Sequence, residues 1–495
     1  MARMTGGEAL VQQLHREGVR VVFGLPGVQL YGVMAALREQ PDIRFIQTRH
    51  EQATSYMADG YARAGGGVGT ALVVPGPGLL NAAAGLSTAY SASSPVFMLS
   101  GQVPKNQIGK DIGVLHEVND QLDCIRPVTK WRRRVLEVAE VPAADIRRAV
   151  DLLVAAQRPV IYAGGGVVLG GASEALTTLA EYLQAGVITS AEGKGAISDH
   201  SELSLGATVW PQSPVRNHLL QADVILAVGT RFALAVPKAD QQVIHIDIDP
   251  DEIGRNHRKT FGLVGDARAT LDAMVEAVRA AAPPRSSRKA EYEALRAETA
   301  ALAQEPQAGI VKSLRAGMPE HAILVAGMTQ IGYYSRPFFP TYEARTYLTS
   351  SYSGNLGYEY PVALGAKVAC PTRPVIAVIG DGGFMYNVQE LATAVQQKIN
   401  VIAVVFNDNA YGNVARDLDE TWGGAYGATL HNPDFMKLAE AFGVHGMRAK
   451  EPTQVGALVR DAIQLDRPVL IEVPVGRMPT PIFFPPRKAP TKYKR

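Results

Sequence analysis

The sequence predicts an α/β protein of three doubly wound parallel-sheet domains, and three observations carry that expectation. Short, branched, apolar runs recur at the length of buried strands, for example at residues 222–228 and 401–406. Stretches of helical spacing separate them, as at 388–399 (VQELATAVQQKI). The runs end in Gly/Pro-rich or acidic turns, and in open α/β sheets the carboxyl ends of strands are where ligands bind. A length of 495 residues suits about three such units.

The first unit spans residues 1–135. Its first 20 residues read as an amphipathic helix with charges throughout, not as a signal peptide. Strand-like runs follow at 21–23, 45–46, 71–74 and 96–99, with turns at 24–27, 75–78 and 100–102. The second unit spans 141–283. Its runs at 159–162, 222–228 and 243–248 lead into Gly164-Gly165-Gly166, Gly229-Thr230-Arg231 and Asp249-Pro250. The glycine triplet lacks the GxGxxG spacing of a dinucleotide loop. His245 falls mid-strand and reads as a packed core residue. A linker at 283–287 and a charged surface helix within 289–304 lead to the third unit, 306–480. Residues 481–495 form a terminal arm, too rich in proline for a helix. It is either a simple arm or a lid in which Ile482, Phe483 and Phe484 cover a site.

Composition narrows the function classes. Hydrophobic residues make up 47% and charged residues 19%, ordinary values for a globular enzyme. The net charge of +2 gives no broad footprint for nucleic acid. No uninterrupted apolar run reaches membrane-spanning length; the candidate at 70–99 is cut by Pro75 and Pro77. The two cysteines, Cys124 and Cys370, supply no disulfide framework or metal cluster. They read as buried or semi-buried thiols of a cytoplasmic protein.

The chemistry concentrates in the third unit. Gly380-Asp381-Gly382 follows a buried strand, and Asn407-Asp408-Asn409 follows the next one, 27 residues on. Two neighbouring parallel strands then present Asp381 and Asn407-Asp408 at one carboxyl edge. Hard oxygen donors beside glycine amides suit a Mg2+ ion holding a diphosphate. A plain βαβ unit, with Asp381 capping a turn, is the alternative reading of that motif taken alone. Far upstream, TRHEQATSYMADGYARAG at 48–65 places Glu51 at the start of a helix, where it either complements the helix dipole or does chemistry.

The stretch from Gly380 to Gly412 resembles the thiamine-diphosphate motif of the acetolactate synthase and 2-oxo acid decarboxylase superfamily. TRHEQATSYMADGYARAG and SGNLGYEYPVALGAK (353–367) resemble two further segments of that superfamily. The resemblance covers nearly the whole chain as pyrimidine-binding, middle and diphosphate-binding domains. It implies Mg2+ ligands at Asp381, the Asp408 side chain and the Ala410 carbonyl, with Gly380, Gly382, Gly383, Tyr411 and Gly412 around the diphosphate. Most members have Asn-Asn where this chain has Asn407-Asp408; aspartate still ligates Mg2+. Leu356 is implied as the wedge between the cofactor rings, and the Gly354 carbonyl as acceptor from the 4′-amino group. Glu51 is implied as the carboxyl that hydrogen-bonds N1′ and so activates the cofactor as a C2 ylid. Pro26, Gly76 and Asn81 would line the aminopyrimidine end, although turn chemistry also explains the proline and glycine.

The same resemblance implies a homodimer or homotetramer with sites shared between subunits, because Glu51 and Asp381 lie in different domains. The substrate would be a 2-oxo acid or aldehyde, joined or cleaved through an enamine by a carboligase or acyloin lyase. A non-oxidative 2-oxo acid decarboxylase is the alternative, and a cofactor-binding relative without turnover a third. Val28 and Val74 fall where decarboxylases often place polar groups, and apolar residues there favour carboligation. Gln102 matches the acetolactate synthase pattern. His116 is either a proton shuttle or a structural histidine. Tyr358 and Glu359 stand near Leu356 with no role assigned. The segment from Arg231 to Pro237 departs from the flavin-binding form RFDDRVTG, which argues against FAD without removing it as a possible cofactor.

Overall fold

The computed structural model describes residues 5–103, 115–118, 120–130 and 143–484, with side chains from residue 146 in the last span. Three sheets form, and all their pairings are parallel. The first has the order Arg44–Gln47, Val21–Gly24, Gly69–Val73, Val96–Ser100, which is 2-1-3-4 in chain order. The last runs Tyr347–Leu348, Ile323–Ala326, Val375–Gly380, Ile402–Asn407, Val469–Pro474, His445–Arg448, or 2-1-3-4-6-5. The outer sheets thus share the order 2-1-3-4, which the last sheet extends by two strands. The middle sheet differs, with the order 6-5-4-1-2-3 from Thr260–Val264 to Ser204–Gly206. Each sheet has a switch point where the strand order reverses, between strands one and three in the outer sheets and one and four in the middle sheet.

The strand interiors explain the pairing. Val375–Gly380 and Ile402–Asn407 are buried on both faces, as continuous branched runs require. Gly380 pairs with Phe406, so Asp381 and Asn407-Asp408 emerge together at the carboxyl edge. The helix between them is Glu390–Gln397, shorter than its apolar spacing suggests because Lys398 turns left-handed at φ 54° and ends it.

The outer sheets are joined by two crossing helices, Glu51–Tyr61 and Glu359–Ala369. Gly60 lies against the Val362 carbonyl and Gly365 against that of Met57, and a Cβ at either would strike backbone. This close approach puts Phe23, Ile46 and Met57 into one core with Val362, Leu364 and Ile379. Burying each large apolar side chain of this kind contributes about 1.5–3 kcal/mol.

The middle sheet has its own core, and helix Lys289–Ala300 belongs to it. That helix is more than the surface element its charges suggest. Tyr292 is fully buried, donating to the Gln184 carbonyl at 2.8 Å and accepting from the Gly186 amide at 2.9 Å. Cys124 also departs from expectation. It is exposed on helix Gln121–Ile125, because that helix buries Ile125 instead. Cys370 is half-buried, with its thiol on the Ala64 carbonyl. Among the described residues no helix is long and apolar enough to cross a membrane. Of the terminal arm, residues 485–495 lie outside the described residues. Phe483 packs on Trp210 and Tyr334, and Phe484 on Tyr333.

Candidate active site

A cavity of about 270 Å³ opens at the switch point of the last sheet. Its lining includes Met328, Thr329 and Gln330 from the turn after Ile323–Ala326 and Gly380 to Gly383 from the turn after the adjacent strand. Asp408, Ala410, Tyr411 and Gly412 line it as well, and so do Gly354 and Leu356. Every residue that the sequence assigns to the diphosphate end, the metal and the wedge therefore lines one cavity. Met478 and Tyr333 line it too, and Phe484 packs on Tyr333 at 5.2 Å between ring centroids. The terminal segment thus lies against one wall.

The two acidic side chains are held by different means. Asn432 donates to Asp381 Oδ2 at 2.6 Å and to Asn407 Oδ1 at 3.0 Å, tying the two strand ends together. Gln330 Nε2 approaches Asp408 Oδ2 at 3.5 Å, and the buried Arg416 donates to Gln330 Oε1 at 3.1 Å. Gly412 lies directly against the Asp408 carboxylate, and a side chain there would displace it. Burial, then the charge of Asp381, pushes the Asp408 carboxyl up to about 6. Burial raises Asp381 as well. Two carboxylates that repel each other beside a backbone carbonyl form a donor set suited to a hard divalent cation.

None of the first domain's candidates lines this cavity. Glu51 opens its helix, and its Oε2 accepts from Asn81 Nδ2 at 3.0 Å. Gly76 abuts the His116 carbonyl, and His116 Nδ1 lies 3.0 Å from Gln29 Oε1. Pro26 and Gln102 are exposed after the first and fourth strands, on either side of Gly69–Val73. Glu51–Asn81 and Gly76–His116–Gln29 thus gather on the first sheet's carboxyl edge. Val74 turns into the first domain's core, whereas Val28 remains exposed. Its burial removes Val74 from the apolar lining expected of it.

Several positioning residues escaped the sequence reading. The buried Glu390 accepts from the Arg49 amide with both oxygens, at 3.1 and 3.2 Å, fixing the turn before Glu51. Asn387 accepts from Gln52 at 2.9 Å. Both lie in the motif that carries Asp381, but their partners are more than 300 positions away. Asn432 and Gln29 follow no spacing rule that would have revealed them.

Comparison with known proteins matches all three units in order. Residues 4–124 match the N-terminal TPP binding domain of thiamine pyrophosphate enzymes, 146–274 the central domain and 327–473 the C-terminal TPP binding domain. A probable acetolactate synthase large subunit of Methanocaldococcus jannaschii is 32% identical over 98% of this chain and 94% of the relative. The chain belongs to the thiamine pyrophosphate enzyme family. A probable 2-ketoarginine decarboxylase of Pseudomonas aeruginosa is also 32% identical, over 92% of this chain and 91% of that protein. The acetolactate synthase isozyme 3 large subunit of Escherichia coli is 30% identical over 96% and 95%. This thiamine pyrophosphate enzyme therefore takes thiamine diphosphate as its cofactor and has acetolactate synthase-like or decarboxylase function.

The middle domain's candidates have structural partners. His245 is buried, its Nε2 lies 2.8 Å from the Thr230 carbonyl, and burial lowers its pKa. Arg231 donates to the Ser91 carbonyl at 3.0 Å and stacks over Tyr352.

Proposed function

We propose that this enzyme is an acetolactate synthase-like carboligase or acyloin lyase acting on 2-oxo acids or aldehydes, with Mg2+ held by Asp381, Asp408 and the Ala410 carbonyl. The observation that carries the reading is the cavity itself, which gathers those three residues with Gly354 and Leu356 at a switch point. When bound, the cofactor supplies a carbon nucleophile and an electron sink. The chain's own residues orient and protect it. Glu51, kept in place by Asn81 and by the Glu390 clasp on Arg49, is the acid that exchanges a proton with the aminopyrimidine. Leu356 sets the ring geometry. Pro26, Gly76, Gln102 and His116 form the wall of the first domain that faces substrate. The exposed apolar Val28 on that wall favours carboligation by limiting water.

The cavity has its lining from residues 328–478 alone, and Glu51 stands on another domain. Each copy then carries two complementary half-sites, and the active unit is a homodimer or a dimer of dimers. Flavin has no part in this reading, since Arg231 is engaged in joining domains. The two free thiols fit a cytoplasmic location.

Decarboxylation without ligation is the second reading, favoured by the Pseudomonas aeruginosa relative. Product analysis by NMR separates the two. The protein is incubated with thiamine diphosphate, Mg2+ and pyruvate, without FAD. Acetolactate or acetoin supports the ligase, and acetaldehyde alone replaces it with the decarboxylase. If pyruvate is untouched, larger 2-oxo acids, aldehydes and acyloins follow. Shared sites are tested by co-expressing Glu51→Gln with Asp381→Asn. Each variant alone should be inactive and the mixed dimer active; a mixture as dead as its parents removes the shared-site reading.

A further inference from the structure

Glu359 is the third carboxyl on the wall of the cavity, beside Asp381 and Asp408. It is 1% exposed. One oxygen, Oε1, accepts from the Met328 amide at 3.1 Å. The other, Oε2, is buried without any hydrogen-bond partner. A buried carboxyl oxygen left unpaired is costly, and on a cavity wall it is open to a partner from within the cavity. Among the described residues no lysine or arginine forms an ion pair with it. Both oxygens stand 3.9 Å from where a Cβ of Gly383 would lie, so the group faces the acidic glycine turn.

We propose that Glu359 is a cofactor-binding residue of this enzyme, a neutral carboxylic acid whose Oε2–H donates a hydrogen bond to a diphosphate oxygen of bound thiamine diphosphate. The inference rests on the assignment of this cavity to the cofactor. Its direction follows from charge. An ionised carboxylate against a diphosphate is repelled, whereas the protonated acid pairs with it and satisfies the orphan oxygen. Burial pushes the group up to about 7, against the lowering pull of backbone hydrogen bonds from Glu359, Met328 and Gly357. The titratable side chains around it are the carboxyls of Asp381 and Asp408 on the same cavity wall and the phenols of Tyr56, Tyr333 and Tyr358, which burial shifts toward their neutral forms. The phenols add no charge, and a neighbouring carboxylate favours the neutral acid.

The test is isothermal titration of the full-length apoprotein with thiamine diphosphate and, separately, inorganic diphosphate, each with Mg2+. Wild type is compared with Glu359→Gln and Glu359→Ala. An amide keeps a donor without the carboxyl's charge, so Glu359→Gln should bind within about threefold of wild type, whereas Glu359→Ala should weaken both ligands by about tenfold or more. Apoprotein melting curves verify that both variants fold. Equal weakening by Gln and Ala would overturn the donor role, since charge would then be what matters. Unchanged affinity in both would leave Glu359 as a cap on Met328 and overturn the proposal. Wild-type protein that binds no thiamine diphosphate would instead remove the cofactor assignment of the cavity, a separate failure.

Discussion

The last and middle sheets are both six-stranded, parallel and glycine-rich at their carboxyl edges, yet their switch points are built differently. In the last sheet the turns there diverge and leave a cavity lined by three carboxyls. In the middle sheet Gly166 donates its amide to the Gly229 carbonyl at 2.9 Å, and the Gly164 and Gly166 backbones press on Gly229. Backbone contact closes these two turns on each other, and the small cavity beside Gly165 is lined by Val168, Leu169 and Glu192. The lesson is that a Gly-rich turn after a strand permits a site without making one. What decides is whether the opposite turn stands back and which side chains it offers.

That contrast can be broken by substitution, and the largest effect belongs to the outer sheets. Glu51→Gln should lower kcat/KM by about 10²–10⁴-fold with thiamine diphosphate affinity nearly unchanged, in steady-state kinetics paired with titration. Parent-like turnover would remove the acid role of Glu51. Next comes Asn432→Ala, which frees Asp381 without touching its charge. Mg2+ affinity in the presence of cofactor should fall about 10–100-fold. An unaltered metal titration would show that Asn432 does not position the ligand.

The third prediction sharpens the contrast through stability. Glu359 has its folded pKa raised from 4.5 to about 7 by burial, so the folded apoprotein binds more protons than the unfolded chain in that interval. Its stabilising contribution is fully present below about pH 4.5 and is lost as pH rises toward 7, on the order of 3 kcal/mol. Melting temperatures of apo Glu359→Gln should slope less steeply across that window than wild type, and parallel curves would contradict the shift. The smallest effect belongs to the middle sheet's edge. Asp249 pairs with Lys130 at 2.7 Å, largely at the surface. Asp249→Ala should change kcat/KM less than about twofold and stability by at most about 1 kcal/mol. A large loss of activity would mean that the middle edge contributes to function after all.

Much of this was legible before the fold was known. The runs at 373–379 and 401–406 read as two adjacent strands, and the turns after them hold Asp381 and Asp408. Gly354 and Leu356 joined the same cavity as the resemblance implied. Less legible was anything set by a partner far along the chain. Val74 reads as a wall residue yet packs inward, and Cys124 reads as buried yet is exposed. Tyr292 sits in a charged segment and anchors a core. In each case the local pattern was correct and the facing surface decided the outcome.

The sequence by itself determined the three-domain α/β architecture, the order of the strands' acidic and glycine turns and the family. Those depend on local periodicity, composition and motifs, which the chain carries wherever it folds. Only the tertiary structure decided that the outer sheets share the order of their first four strands and a core while the middle one stands apart. It alone showed that the cavity draws on one domain, that Glu390 clasps the turn before Glu51, and that Glu359 has an unpaired oxygen there. Those facts depend on burial and on hydrogen bonds between distant positions, and neither is a property of a residue before its neighbours are in place.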